Sequence, residues 1–196
     1  MKIRRKKSKG ETKKQPQIKK VIKIIIIGDS HARGCAQELQ HNLGRNSDVQ
    51  GFVKPGATLQ NTVNTSPETM GKLTKKDVIT VWGGTRDIGR NESVKGLHQI
   101  QNFVDKHKQT NIIVMSAPHR YDLEPNSCVN EEVKVYNRKL KKYLKVLNNV
   151  HILEVDTDRD FYTRHGLHMN QPGKEQVAYK IMNTIKTILS EKKIPQ

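Results

Sequence analysis

The fold is decided by Val21-Ile22-Lys23-Ile24-Ile25-Ile26-Ile27-Gly28-Asp29-Ser30-His31. Five isoleucines and a valine stand in the first seven positions, interrupted once by Lys23. β-Branched side chains are stiff at χ1 and fit the pleated surface of a strand better than a helix. The run is nearly continuous rather than alternating, as expected of a central strand covered on both faces, the usual situation in a parallel sheet. It ends abruptly at Gly28-Asp29-Ser30, a polar turn. It is also far shorter than the roughly 18 apolar residues that a membrane-spanning helix needs.

Outward from this strand the chain repeats the same alternation. Val49–Val53, Val78–Trp82, Ile112–Met115 and Val150–Val155 are further short strand candidates, each closed by Gly, Pro, Ser or Asp. Between them lie amphipathic stretches, roughly Ala32–Leu43, a short one near Leu59–Met70, Ser93–His107, Asn130–Leu147 and Pro172–Ser190. Pro172 suits a first helical position. Strands separated by helices predict a three-layer α/β/α domain around a doubly wound parallel sheet of about five strands, over residues 21–190. Nothing suggests a second domain, and 191–196 reads as a C-terminal tail.

Composition bounds the function. Lys and Arg number 36 against 19 Asp and Glu, a formal charge of +17 over 196 residues. That charge is uneven: ten basic residues and one acid stand in positions 1–20, which therefore hold nine of the seventeen net charges. This segment has little apolar surface to bury and repels itself, so the sequence predicts a disordered basic tail. Arg4, Arg5, Lys6 and Lys7 are candidate contacts to nucleic-acid phosphates, with a linker or an import signal as the plainer alternatives. No 7–15-residue apolar core of a signal peptide follows the basic run. Cys35 and Cys128 form no disulfide framework and read as thiols of a reducing compartment. The expectation is an intracellular protein, cytoplasmic or nuclear, with no membrane span.

In a doubly wound sheet, ligands bind beyond the carboxyl ends of the strands. The segments there are Gly28-Asp29-Ser30-His31, Lys54-Pro55-Gly56-Ala57, Gly83-Gly84-Thr85-Arg86-Asp87, Ser116-Ala117-Pro118-His119, and a long loop from Asp156 containing His165-Gly166-Leu167-His168. In this order they resemble the SGNH, or GDSL-like, hydrolases and esterases. The resemblance spans about residues 21–190. Within the family, Phe161–Asn170 and Val81–Thr85 look most like the esterase-type domains encoded by animal non-LTR retrotransposons and their host-captured relatives.

The resemblance implies acyl transfer to water through a covalent intermediate, with no metal or cofactor. It makes Ser30 the nucleophile and His168 the base. Gly56 and the Ser30 amide would form the oxyanion hole, and the substrate would be a small acyl or acetyl ester. Two positions depart from the family pattern. Arg86 stands where an Asn donates the third oxyanion hydrogen bond, so it could donate there itself, bind an anionic group in the cleft or extend to solvent, and His165 stands where an Asp three residues before the base is usual. A neutral imidazole cannot supply the negative charge that stabilises an imidazolium, although His165 could orient His168; Asp160 or Asp158 could substitute if the loop folds back. An active esterase, a weakened one, and a catalytically inactive domain of a retroelement-derived nucleic-acid-binding protein all stay open. The plainer alternative for Ser30 is the cap of the first helix. Asp29 and His31, with Asp87, His119, His165 and His168, also raise a two-metal phosphoesterase, but the remaining sequence blocks such a site needs are missing.

Overall fold

The structure, a computed structural model, describes residues 21–64 and 67–191. The basic tail, with Arg4, Arg5, Lys6 and Lys7, and residues 192–196 lie outside them. Five strands, β1 (Ile22–Gly28), β2 (Ser47–Val53), β3 (Val78–Trp82), β4 (Asn111–Met115) and β5 (Val150–Leu153), form one sheet in the order β2-β1-β3-β4-β5. Every pairing is parallel. The helices are α1 (Cys35–Leu43), α2 (Leu59–Val63), α3 (Pro67–Met70), α4 (Thr85–Gly89), α5 (Ser93–Lys106), α6 (Cys128–Leu144) and α7 (Gln171–Glu191). This is the predicted flavodoxin-like three-layer arrangement.

The isoleucine run explains the layers. Along β1 successive side chains point to opposite faces, so the run divides in two. Ile25 and Ile27 join the core beneath α2, α5 and α6, with Ile79, Val81, Ile112 and Val114. Ile24 and Ile26 join the core beneath α1 and α7, with Val78, Trp82, Ile113 and Met115. All four isoleucines are at most 2% exposed. Burial of each contributes about 1.5–3 kcal/mol, so neither helical layer could be lost without exposing half of β1.

Because β2 lies on one side of β1 and β3 on the other, the chain reverses its direction of travel across the sheet here. Between the ends of β1 and β3 lies the crevice where this architecture admits ligands. Gly28 pairs with both Val53 and Trp82, so the first three strands end level with one another. The Asp29 amide donates to the Trp82 carbonyl at 3.0 Å and the Lys54 amide to the Gly28 carbonyl at 2.9 Å, which fixes where the three following loops start.

Several boundaries differ from expectation, each for a local reason. The first helix begins at Cys35, not Ala32: Ser30–Ala32 form a separate 3₁₀ turn, and Gly34, in the left-handed region at φ 84°, breaks the chain between them. The stretch near Leu59–Met70 divides into α2 and α3, since Pro67 lacks the amide that a continuous helix would need there. α6 starts two residues early because Ser127 caps it, its hydroxyl accepting from the Asn130 amide. α4 was not anticipated.

Candidate active site

Ser30 and His168 meet at the crevice. Asp29 is what brings Ser30 there: its carboxylate accepts from the His31 amide at 2.9 Å and so caps the 3₁₀ turn that carries Ser30 out of β1. The cap is therefore Asp29, and the cap of α1 is Gly34, which overturns the alternative of Ser30 as a helix cap. The Ser30 hydroxyl is left for His168, whose Nε2 lies 3.0 Å from Ser30 Oγ across 138 residues of sequence. With the ring proton on Nδ1, Nε2 is a neutral acceptor for the Ser30 O–H.

The loop that delivers His168 is tied down on both sides. The Thr163 amide donates to the His168 carbonyl at 2.8 Å, and Tyr162 bridges to Met169 in a short antiparallel pair. Asn170 donates to the Asp160 and Tyr162 carbonyls and caps the entry to α7 by accepting from the Gly173 amide at 2.9 Å. Gly166, at φ 88°, lets the loop lie on Tyr121 and Asp122, where a Cβ would come within 2.6 Å of the Tyr121 carbonyl carbon.

Behind the pair stands His31, which the sequence offers as a polar residue at the start of a helix or as a metal ligand. His31 is 4% exposed, and its ring sits 5.2 Å from the His168 ring and 5.9 Å from that of Trp82. Burial, with the nearby His168 and Arg120 charges, pushes the His31 pKa down to about 3. It is a neutral wall against which His168 packs, and its Nδ1 is buried with no hydrogen-bond partner among the described residues.

The acid position is resolved differently from the family pattern. His165 is exposed and its charge lowers the pKa of His168, so it opposes the imidazolium rather than supporting it. Asp160 is exposed on the Arg159–Phe161 turn, and Asp158 accepts from the Asp160 amide to cap that turn. Neither reaches back to His168: among the described residues no hydrogen-bond partner is recorded for His168 Nδ1. The carboxylate that does favour protonated His168 is Asp122, from the loop after β4, and it is already held by Arg120 through two bonds of 2.7 and 2.6 Å. On balance burial, then Arg33, His165 and Lys174, hold the His168 pKa below its usual 6.5.

On the other side of Ser30, Gly56 is exposed at the turn after β2 with φ 64°, and among the described residues the amides of Gly56 and Ser30 have no acceptor. Arg86, the expected third donor, also reaches this turn. Its Nη1 donates to the Gly56 carbonyl at 2.6 Å, pinning the turn that carries the Gly56 amide. Asp87 accepts from the Leu59 amide at 2.9 Å and locks the β3 loop to α2. Asp29 lies close enough for the Asp87 charge to add to the effect of burial, which pushes the Asp29 pKa up to about 7.

Ser30, Gly56, Arg86, Arg90, Arg120 and Leu167 are among the residues that line a cavity of about 310 Å³, and His168 is not one of them. A larger one, about 780 Å³, lies between α6 and β5, lined by Lys134, Arg138 and Lys141 among others; it contains neither Ser30 nor His168. The possible metal ligands do not converge: among the described residues no three His, Cys, Asp or Glu side chains group as a metal site. His119 rests edge-on against Tyr121 instead.

No family model matches the chain. No curated protein matches it either. Solved structures do. A member of the lipolytic G-D-S-L family from Veillonella parvula superposes with a TM-score of 0.70 at 16% identity, over 85% of this chain and 99% of that one. A carbohydrate esterase family 3 protein from Talaromyces cellulolyticus gives 0.66 at 13%, over 87% and 99%. A lipase/acylhydrolase from Enterococcus faecalis gives 0.66 at 17%, over 85% and 96%. At these identities the likeness is one of fold: that of GDSL-like lipolytic hydrolases. Among the described residues no helix is long and apolar enough to cross a membrane.

Proposed function

We propose that the chain is a serine hydrolase of small carboxylic esters, with Ser30 as nucleophile and His168 as general base. The observation that carries this is the 3.0 Å contact between Ser30 Oγ and His168 Nε2, made at the crevice end of the sheet beside two unpaired amides. The hydrolase likeness of the superposed structures agrees with it.

In the first half-reaction Ser30 Oγ bonds to the ester carbonyl carbon while its proton passes to His168 Nε2. The carbonyl oxygen takes up negative charge, which the Ser30 and Gly56 amides face; that kind of preorganised donation is worth about 10²–10³ in rate per donor. Collapse breaks the bond to the alkoxide, which leaves with the His168 proton. Water then attacks the acyl-Ser30, gives its proton to His168, and releases the carboxylic acid as Ser30 recovers its proton.

The site predicts slow turnover on simple esters. Among the described residues no carboxylate bonds to His168 Nδ1, and the imidazolium must form against Arg33, His165 and Lys174. In triad enzymes, loss of the carboxylate charge on the base costs about 10⁴ in kcat. The test is hydrolysis of 4-nitrophenyl acetate by the wild type beside Ser30→Ala and His168→Gln. Release of nitrophenolate should fall to the enzyme-free rate in both variants. Equal rates in wild type and Ser30→Ala would refute the assignment.

A further inference from the structure

The walls of the Ser30 cavity carry more positive charge than acyl transfer requires. Arg86, Arg90 and Arg120 all line it, against one carboxyl, Asp29, whose pKa burial pushes up to about 7. Among the described residues only Arg120 of the three has a carboxylate partner, Asp122, which occupies its Nε and Nη2. Its Nη1 is left over α4, about 4.0 Å from where a Cβ on Gly89 would stand. Arg86 spends one bond of Nη1 on a neutral carbonyl, that of Gly56, and no carboxylate pairs with it among the described residues. Arg90 makes no ion pair either. The acids that feel its charge are committed elsewhere, Glu92 to Lys95 at 2.7 Å and Asp87 to the Leu59 amide.

Like charges gathered around a small concave space repel one another and raise the local potential. A site held in that condition favours a ligand that brings the missing negative charge, and guanidinium is the group best matched to carboxylate and phosphate oxygens. We infer that the substrate is an ester bearing an anionic oxygen group, carboxylate or phosphate, which the unpaired guanidiniums of Arg86 and Arg90, with the free Nη1 of Arg120, hold beside Ser30. The volume of about 310 Å³ suits a small polar acid rather than a long acyl chain. Arg86 links this recognition to the chemistry, since the same guanidinium positions Gly56. A bound anion would also offset the positive field in which the His168 imidazolium must form.

The inference rests on the hydrolase reading, so the experiment separates the two. Rates are compared for matched ester pairs: 4-nitrophenyl 4-carboxybenzoate against its 4-carbamoyl counterpart, with the charge on the acyl side, and 3-acetoxybenzoate against 3-acetoxybenzamide, with the charge on the alcohol side. A third comparison, 3-acetoxyphenyl phosphate, distinguishes phosphate from carboxylate. At low ionic strength at least one anionic ester should exceed its neutral mate by about tenfold or more in kcat/KM, the size of one charge-assisted hydrogen bond. The advantage should shrink with added salt and fall towards unity in Arg90→Gln and Arg86→Gln. Taking the ratio within each variant removes any general effect of Arg86 on Gly56.

Turnover of neutral esters that depends on Ser30, with no anionic preference, would overturn this inference and leave the hydrolase reading standing. If no ester is turned over, equilibrium binding decides. Calorimetric titration with inorganic phosphate and with benzoate should show a site weakened about tenfold by Arg90→Gln and untouched by Arg138→Gln in the other cavity. Absence of binding, or binding indifferent to Arg90, would overturn the inference.

Discussion

At the scale of single residues, the proposed base, His168, lacks the acid that the family pattern would give it. His168 packs on a buried, neutral His31 and is surrounded by positive charge, so its neutral form is favoured over a wide pH range. For a base whose pKa is lowered in the folded protein, the active neutral form persists as pH falls and is lost only below the usual titration range. The kcat/KM profile for a neutral ester should therefore rise along an acid limb with its midpoint below 6.5. Burial is the first cause of this shift, and Arg33, His165 and Lys174 add to it. Lys174→Gln should move the midpoint upwards, and measurement between about pH 4 and 8 reads both values. A midpoint above 6.5, or one lowered by Lys174→Gln, would contradict this account of His168. The His31 contribution was not legible in the sequence, because a histidine after a strand looks the same whether it faces solvent or stacks on a tryptophan from another strand. Asp122 escaped for a similar reason: what matters is the loop from β4 lying under Gly166, a contact across more than forty residues.

At the scale of elements, the long runs were readable and the short pieces were not. β1 and β3 announce themselves through continuous β-branched sequence, and α5, α6 and α7 through helical periodicity, because tertiary packing demands those patterns over many residues. α4 has only five residues, opens on Gly84 and ends on Gly89, so nothing periodic marks it; Ile88, buried in the core beneath α5 and α6, is what holds it. It matters nonetheless, since it carries Arg86 and is followed directly by Arg90, both of which line the cavity. The loop carrying His168 shows the same dependence on fit. Gly166→Ala places a Cβ 2.6–2.8 Å from the Tyr121–Asp122 backbone at a left-handed φ. Strain and overpacking together should cost about 2–4 kcal/mol, a fall of roughly 5–15 °C in Tm for a domain of this size. Esterase activity measured well below the new Tm should fall as well, as the loop lifts away from Tyr121. Unchanged Tm and activity would show that the loop docks otherwise.

At the scale of the whole molecule, the charge of +17 divides into parts with different meanings. More than half stands in residues 1–20, for which a nucleic-acid partner is an expectation from sequence alone. Within the folded part, the consequential charges are a few arginines at the crevice. Composition could not separate these from the lysines of α6, which run along an outer helix; the topology does so by placing the β1 and β3 loops together at the point where strand order reverses. The central claim is that this crevice holds an activated serine. It is tested most directly by the intact mass of the protein after exposure to a fluorophosphonate, which bonds through phosphorus to an activated serine oxygen and releases fluoride. The account predicts a single adduct on the wild type, located at Ser30, absent from Ser30→Ala and strongly slowed in His168→Gln. A wild type that remains unmodified, or an adduct that persists in Ser30→Ala, would contradict it.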